Sequence, residues 1–182
     1  MNQLKVGVMG SAGDTLGEGL VEELREKAEA LGRELGERGV VVLTGATTGL
    51  PHAVGGAARR AGALHVGISP ASNEREHTTL YRLPTDETDV LIYTGFGLKG
   101  RNVVLVRSCD VVLIIRGSIG ALNELTIAHD EGKIIGCLTG TGGVADEAAR
   151  LLQTLQKKSG AHVFHDADPS RLVDACLGAL KR

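Results

Sequence analysis

The fold is decided by the sequence Val111-Val112-Leu113-Ile114-Ile115-Arg116-Gly117-Ser118-Ile119-Gly120-Ala121-Leu122-Asn123-Glu124. Its five leading apolar residues predict a buried strand, and a glycine turn joins that strand to a helix. Glu124 lies in the opening turns of this helix. A turn of this kind presents free backbone N–H groups and the positive end of a helix dipole at the edge of a sheet. The stretch therefore predicts a phosphate-binding turn with a candidate acid or base close by.

The composition predicts one soluble domain. The chain has 182 residues, of which 42% are apolar, and this is enough to bury a single sizeable core. Its formal net charge is −2, so the protein lacks an overall positive field. Only four aromatic residues could stack on bases, namely Tyr81, Tyr93, Phe96 and Phe164. We therefore expect no nucleic-acid partner.

The cysteines and the apolar runs indicate the cellular compartment of the protein. Cys109, Cys137 and Cys176 are odd in number and lack CxxC spacing, which is typical of small buried hydrophobic residues in a reducing compartment. The N-terminus runs directly into an apolar strand, and no apolar run is long enough to cross a bilayer. We expect a cytoplasmic protein with neither a secretion signal nor a membrane segment.

Short β-branched runs alternate with longer helical patterns, which predicts an α/β fold with a parallel sheet. The predicted strands are Leu4–Met9, Val40–Thr44, Leu64–Ser69, Val90–Tyr93, Asp110–Ile115, Ile134–Leu138 and Ala161–Phe164. The predicted helices are Gly19–Arg38, His52–Ala61, Arg101–Ser108, Ala121–Glu131, Val144–Lys158 and Pro169–Leu180. The polar stretch Ala71 to Asp89 is predicted to be a long surface loop, either functional or a connection without a role.

Glycine-containing turns follow several of the predicted strands. Because the carboxyl ends of parallel strands share one edge, these turns are expected to surround a single crevice, although glycines also serve tight packing. The candidate ligand-binding residues in and around these turns are Gly10, Ser11, Gly45, Thr47, Gly49, Gly95, Gly97, Arg116, Gly117, Ser118, Gly120 and Ala121.

Two known nucleotide-binding motifs contain glycine turns of this kind. No Gly-Lys-Ser/Thr occurs at the spacing of a Walker A loop, which argues against a P-loop nucleotide hydrolase. Gly95-Phe96-Gly97-Leu98-Lys99-Gly100 is a literal GxGxxG, and Arg116 stands where an NADP-binding fold could meet the 2′-phosphate. Its late position in the chain makes an NADP site the weaker alternative.

Arg101 and Glu124 are the candidate catalytic pair. Both are expected to open into the same crevice, since Arg101 begins an apolar helix whose following strand leads into the Gly117–Glu124 turn. The arginine could anchor a phosphate or lower the glutamate pKa, while the glutamate could activate water or stabilise an oxocarbenium-like sugar. A structural salt bridge is the alternative reading of the same pair.

The histidines of His162-Val163-Phe164-His165-Asp166 do not predict a metal site. In an extended strand, His162 and His165 face opposite sides, so they could not both bind one ion. Asp168 and Pro169 are instead typical of the first residues of a helix. We therefore predict no metal site.

Four sets of residues together resemble a known family. They are Thr44-Gly45 with Gly49, Gly62 before a strand ending in Ser69-Pro70, Thr94-Gly95-Phe96-Gly97 with Arg101-Asn102, and Gly117–Glu124. In this order and spacing they resemble the Lonely Guy-like Rossmann superfamily, also labelled "possible lysine decarboxylase". The resemblance spans roughly residues 4 to 140 and is closest to the branch of molybdenum cofactor carrier proteins.

The resemblance implies one Rossmann-like domain over residues 1–182, with a doubly wound, mainly parallel sheet of about seven strands flanked by helices. It also implies a homodimer or homotetramer that binds a phosphorylated small molecule. In the Lonely Guy enzymes, an arginine and the glutamate of a PGGxGTxxE motif support release of a base from a nucleoside 5′-monophosphate, and these roles map to Arg101 and Glu124. The carrier branch has Arg-Asn at the arginine position, as Arg101-Asn102 does here.

The chain departs from that motif at three positions. Arg116 replaces the proline, Ser118 the second glycine, and Ala121 the threonine. The lost threonine hydroxyl removes one phosphate hydrogen bond, worth about 1 to 2 kcal/mol, although backbone donors and the new cation at Arg116 could offset this loss. These changes favour a carrier of a nucleotide-like or pterin ligand, such as molybdenum cofactor, over a phosphoribohydrolase. No lysine has the context of a pyridoxal-phosphate Schiff base, so the decarboxylase label and a pyridoxal cofactor are not supported.

Overall fold

The computed structural model describes residues 3–13 and 21–180. Within these ranges the chain forms strands that alternate with helices. The strands are β1 (Lys5–Gly10), β2 (Val41–Thr44), β3 (His65–Ser69), β4 (Val90–Tyr93), β5 (Val111–Ile115), β6 (Ile134–Leu138) and β7 (His162–Asp166). The helices are α1 (Val21–Glu37), α2 (Leu50–Arg60), α3 (Gly97–Arg107), α4 (Ile119–Asp130), α5 (Gly143–Leu155) and α6 (Pro169–Ala179).

All seven strands are parallel and lie in the order β4-β3-β2-β1-β5-β6-β7. The chain winds outward from β1 to β4 and then returns to place β5 on the other side of β1. This reversal leaves a crevice at the carboxyl ends of β1 and β5, where doubly wound sheets bind their ligands. The predicted α/β Rossmann-like fold is confirmed.

The central strands are apolar on both faces because helices cover both faces of the sheet. On one face, Val8 and Leu113 belong to a core that includes residues of α1, α2 and α6. On the other face, Met9 and Ile114 belong to a core that includes residues of α3, α4 and α5. Every residue of β5 is buried, as the uninterrupted apolar sequence of this strand predicts.

Two helix boundaries differ from the sequence predictions. Helix α3 begins at Gly97, four residues before the predicted start at Arg101. The predicted start was too late because glycine is a poor helix former, and Gly97 and Gly100 therefore indicated a turn. Helix α5 ends at Leu155 and not at Lys158, since Gln156 adopts a left-handed conformation with φ of 52°. The first two residues of the predicted helix Gly19–Arg38 lie outside the described residues.

The stretch Ala71 to Asp89 is more ordered than a plain surface loop. It contains one π-helical turn, Glu76–Leu80, and a histidine with no exposed surface, His77. The two ring nitrogens of His77 lie 2.8 Å from Ser69 Oγ and 2.9 Å from the Pro84 carbonyl oxygen. This histidine therefore fastens the segment to the end of β3.

All three cysteines are free and buried, as their apolar surroundings predict. Burial raises the pKa of each thiol to about 12. Thiols with so high a pKa are poor nucleophiles, so we assign Cys109, Cys137 and Cys176 to packing. No helix in the described ranges is long and apolar enough to span a membrane.

Two glycines allow α1 to pack closely against α2. A Cβ at Gly32 would overlap the Val54 carbonyl oxygen and lie 2.7 Å from the Cβ of Ala57. At Gly36, an added Cβ would overlap the Cβ of Ala61. The missing side chains therefore set the distance between the two helices.

A Gly32→Ala substitution is expected to lower the free energy of unfolding by about 1 to 3 kcal/mol, because overpacking outweighs the better helix propensity of alanine. Gly178→Ala is the matched control, since Gly178 lies in α6 with no atom within 4 Å of an added Cβ. This second change is expected to stabilise the protein by about 0.5 to 1 kcal/mol. Urea unfolding measures both, and equal effects would contradict the packing role of Gly32.

Candidate functional site

A cleft of about 200 Å³ lies at the carboxyl ends of β1, β2 and β5. It occupies the crevice that the strand order creates, and several of the predicted site residues line it. The predicted lining residues are Gly10, Gly45, Thr47, Arg101, Ser118, Gly120, Ala121 and Glu124. The structure therefore brings eight of the predicted site residues together, including both members of the candidate catalytic pair.

Arg101 lies on α3, and its guanidinium packs against the backbone of the turn that follows β2. A Cβ at Gly45 would overlap the guanidinium, with the Cζ atom of Arg101 only 2.6 Å away. The residue is 5% exposed, and its Nε has no hydrogen-bond partner among the described residues. Burial lowers the pKa of Arg101, although the nearby Glu124 carboxylate opposes this change. The cleft thus holds a desolvated cation with an unused donor.

Glu124 faces Arg101 across the cleft from α4. Its Oε1 lies 3.4 Å from Arg101 Nη1, which is a long distance for a salt bridge. Burial raises the pKa of Glu124 to about 7, even though Arg101 and Lys99 both act to lower it. A carboxyl group with this pKa can exchange a proton near neutral pH, as a general acid or base must.

The Asn102 amide lies beside the carboxylate of Glu124 and contacts the amide of Asn123. Asn102 Nδ2 donates to Asn123 Oδ1 at 2.8 Å. In the alternative orientation of the Asn102 amide, its nitrogen donates to Glu124 Oε1 at 3.1 Å and to the Leu98 carbonyl oxygen at 3.0 Å. The residue after the arginine is therefore in hydrogen-bonding reach of the acid, and it positions Glu124 in the second orientation.

The first turn of α4 leaves backbone donors open to the cleft. The first hydrogen bond within this helix runs from Leu122 N to the Ser118 carbonyl oxygen at 2.9 Å. The three preceding amides, of residues 119–121, have no partner within the helix. The side chain of Ser118 makes no capping hydrogen bond, although it is the N-cap residue. A helix N-terminus with free amides favours an anion.

The turn before α4 is held in place by hydrogen bonds to two other loops. Gly117 has φ of 90°, and its N–H donates to Ser11 Oγ at 3.1 Å. Its carbonyl oxygen accepts from Val144 N at 3.1 Å. Ser11 also accepts from Leu50 N through its own carbonyl oxygen, at 3.0 Å. Ser11 and Gly117 thus support the cleft from behind and do not line it.

The remaining predicted residues lie elsewhere. Gly49 lines a neighbouring cavity beside α2. Gly95 and Gly97 donate to the carbonyl oxygens of Ala71 and Pro70, and so fasten the start of α3 to the segment after β3. The guanidinium of Arg116 donates to the Thr141 carbonyl oxygen at 3.1 Å.

Two consequences follow from these positions. The GxGxxG sequence follows edge strand β4, and its three glycines do not line the cleft, although Leu98 and Lys99 between them do. It therefore does not have the position of a dinucleotide fingerprint at the central crevice. Arg116 is turned toward the loop before α5, and its guanidinium does not replace the lost threonine of the turn.

Sequence reasoning missed Lys99 as a site residue. This exposed lysine lines the cleft, and its Nζ would lie 3.5 Å from a Cβ at Gly120. It also acts on Glu124, whose pKa it lowers. Its position two residues before Arg101, at the start of the same helix, could have indicated that both side chains reach the cleft.

A larger cavity, of about 460 Å³, opens between α1 and α2. Its charged side chains are paired with each other, as Arg60 with Glu87 and Arg25 with Glu29. In the described part of the chain, no group of three or more His, Cys, Asp or Glu side chains could hold a metal ion. The smaller cleft, with its unsatisfied arginine, is therefore the candidate functional site.

Comparison with known proteins supports this assignment of the fold. The sequence model of the SLOG cluster4 family matches residues 3–173. An uncharacterized protein of Archaeoglobus fulgidus is 30% identical over 154 residues, which are 85% of this chain and 91% of that protein. The X-ray structure of TM1055, a structural genomics target, superposes with a TM-score of 0.83 at 29% identity, covering 97% of this chain and 99% of that one.

A further solved structure is that of the molybdenum cofactor binding protein from the phototrophic bacterium Rippkaea orientalis. It has a TM-score of 0.76 and 26% identity, and it covers 99% of both chains. These similarities extend over nearly the whole chain. The resemblance that the glycine turns and the Arg101-Asn102 pair indicate is confirmed.

Proposed function

The chain belongs to the SLOG cluster4 family, and from this premise we propose that it binds a phosphorylated nucleotide-like or pterin ligand in the cleft between β1 and β5. The ligand is carried and not turned over. Molybdenum cofactor, which has a pterin and a phosphate group, is the named candidate. A single observation carries the proposal: the buried Arg101 has a donor without a partner beside the open first turn of α4.

The chemistry of the cleft supports a phosphate group more than any other part of such a ligand. Free helix amides and an arginine together supply several donors and positive charge for an oxyanion. The Rippkaea orientalis protein, similar over nearly its full length, is described as a molybdenum cofactor binding protein. The cleft volume of about 200 Å³ fits part of such a ligand, and the rest would extend toward the exposed side chains at its mouth.

Native mass spectrometry of the freshly purified protein tests the proposal. We expect an added mass that corresponds to a phosphorylated pterin or a nucleotide. The same preparation is then titrated with adenosine monophosphate, in case the ligand is lost during purification. A protein that is empty and also fails to bind the nucleotide would contradict the proposed function.

A second candidate is a phosphoribohydrolase of the Lonely Guy type. The observation that favours it is the raised pKa of Glu124, because a carboxyl group that is protonated near neutral pH can donate a proton to a departing base. Incubation with nucleoside 5′-monophosphates, followed by chromatography of free bases, separates the two candidates. Base release that Glu124→Gln abolishes would establish the hydrolase, and no release with any nucleotide supports the carrier.

We further propose that the protein is a homo-oligomer, either a dimer or a tetramer. Large apolar side chains are exposed on β4, on α3 and at the start of α4. They are Val90, Ile92, Leu98, Val103 and Ile119, with exposed fractions of 38% to 72%. Exposed apolar side chains in this number favour an interface with another copy of the chain.

A Val103→Glu variant is expected to be monomeric, because a charge buried in an apolar interface is costly. Size-exclusion chromatography with light scattering gives the mass of each protein. Leu155→Glu is the control, since Leu155 is 64% exposed at the far end of α5, and it should leave the assembly unchanged. A wild-type protein that elutes as a monomer would contradict the proposal.

A further inference from the structure

We propose that binding of a phosphate group in the cleft is coupled to the uptake of one proton by Glu124. The inference rests on the proposed function, because it concerns a ligand in the same cleft. It assigns to Glu124 the role of a neutral acid in the loaded protein, where it donates a hydrogen bond and carries no charge. The protein then binds a phosphorylated ligand tightly under mildly acidic conditions and releases it as the pH rises.

The position of Glu124 on α4 places it beside the expected phosphate. Residues three or four apart share one face of a helix, so Glu124 lies on the same face as Gly120 and Ala121. All three residues line the cleft. Four residues of helix span roughly 6 Å along the helix axis, and helical side chains tilt toward the N-terminus, so the carboxylate is expected within about that distance of an anion at the first turn. Glu124 is only 6% exposed, so water screens this repulsion poorly.

The charged groups that face Glu124 cannot neutralise both anions. Among the described residues, Arg101 and Lys99 of α3 are the cations that act on the carboxylate. Its amide neighbours, Asn102 and Asn123, are uncharged. The thiol of Cys109 also interacts with Glu124, but burial raises the pKa of that thiol to about 12, so it remains neutral.

The charge balance of the loaded cleft therefore depends on the state of Glu124. With an ionised carboxylate, two cations would face three negative charges once a phosphate dianion is bound. With a protonated carboxyl group, the same two cations face two negative charges. A buried excess charge is costly, so the protonated state is favoured when the ligand is present.

The free protein is already close to this protonation. Burial raises the pKa of Glu124 to about 7, and a neighbouring dianion raises it further. Because the loaded protein has the higher pKa, affinity is fully present below pH 7 and falls as the pH rises above it. By linkage, the loss amounts to about tenfold for each pH unit until the pKa of the loaded form is reached.

Isothermal titration calorimetry with sulfate tests this inference. Sulfate has the size and charge of a phosphate dianion but does not titrate near neutral pH, so a proton taken up must enter the protein. Titrations at about pH 8 in two buffers of different ionisation enthalpy give the number of protons bound per sulfate. We expect a value near one for the wild type, falling toward zero at about pH 6, where Glu124 is already protonated in the free protein.

Two variants separate Glu124 from other titrating groups. Glu124→Gln is expected to bind sulfate without proton uptake, with an affinity that varies less than about twofold between pH 6 and pH 8. Lys99→Gln is expected to bind more weakly at every pH while keeping the proton uptake. Wild-type binding without proton uptake, or uptake that persists in Glu124→Gln, would overturn the coupling. If none of the proteins binds sulfate even at pH 6, the phosphate site of the proposed function is wrong.

Discussion

An Arg101→Ala variant is expected to lose at least about a hundredfold in affinity for adenosine monophosphate or another phosphorylated ligand. The arginine supplies a desolvated cation with an unpartnered Nε at the edge of the cleft. A charge-assisted hydrogen bond contributes about 1.5 to 3 kcal/mol, and each 1.4 kcal/mol changes the affinity about tenfold. Two such bonds to a phosphate therefore account for the expected loss. Calorimetry or ligand-dependent thermal shift measures it.

Arg107→Ala is the matched control for this variant. Arg107 lies on the same helix, but its exposed guanidinium pairs with Glu131. Its removal should leave ligand affinity unchanged. If Arg101→Ala retains wild-type affinity while its circular dichroism spectrum is normal, the arginine has only the structural salt-bridge role that the sequence also allows.

A Leu113→Ala variant is expected to show the largest loss of stability, about 2 to 5 kcal/mol. Leu113 is 1% exposed in β5, the strand beside the central strand β1. Its Cδ2 would lie 2.6 Å from a Cβ at Gly136, so the leucine fills the space that the glycine leaves open. Truncation to alanine removes buried apolar contacts and leaves a cavity in the core between the sheet and the helices that cover this face. Domains of this kind are stable by only about 5 to 15 kcal/mol, so the change is severe.

Chemical denaturation monitored by circular dichroism measures this loss. Leu155→Ala provides the control, since a leucine that is 64% exposed should contribute less than about 0.5 kcal/mol. Equal midpoints for the two variants would show that β5 is not the centre of the core. A changed denaturant slope in Leu113→Ala would instead indicate a denatured or partly folded state different from that of the wild type.

The sequence predicts the strand, the turn and the charged pair of the candidate site, but not every contact among them. The run Val111–Ile115 followed by a glycine turn predicts a buried strand and a helix N-terminus, and both are present. Local pattern carries that information because strand and turn are continuous in the chain. The proximity of Arg101 and Glu124 was also predictable, since the helix of Arg101 precedes β5 and the helix of Glu124 follows it.

The role of Gly45 was not predictable in the same way. It was predicted as a ligand-binding turn residue, yet its missing side chain makes room for the Arg101 guanidinium. That contact joins β2's turn to α3, and no local pattern records such long-range packing. Lys99 was missed for a related reason, because a lysine at the start of a helix usually remains in solvent. Gly95 and Gly97 belong to a GxGxxG sequence, which indicates a dinucleotide site only when it follows a strand at the central crevice. Here it follows β4, which is an edge strand.

Ser11 determines how substitutions in the loops around the cleft affect one another. Its hydroxyl accepts from Gly117 and its carbonyl oxygen accepts from Leu50, so the loops after β1, β2 and β5 form one hydrogen-bonded unit. Groups joined in this way share their energies, and the effects of substituting them do not add. The contribution of any one loop to ligand affinity is therefore a property of all three loops together, and a homologue can exchange residues in one loop only by adjusting the others.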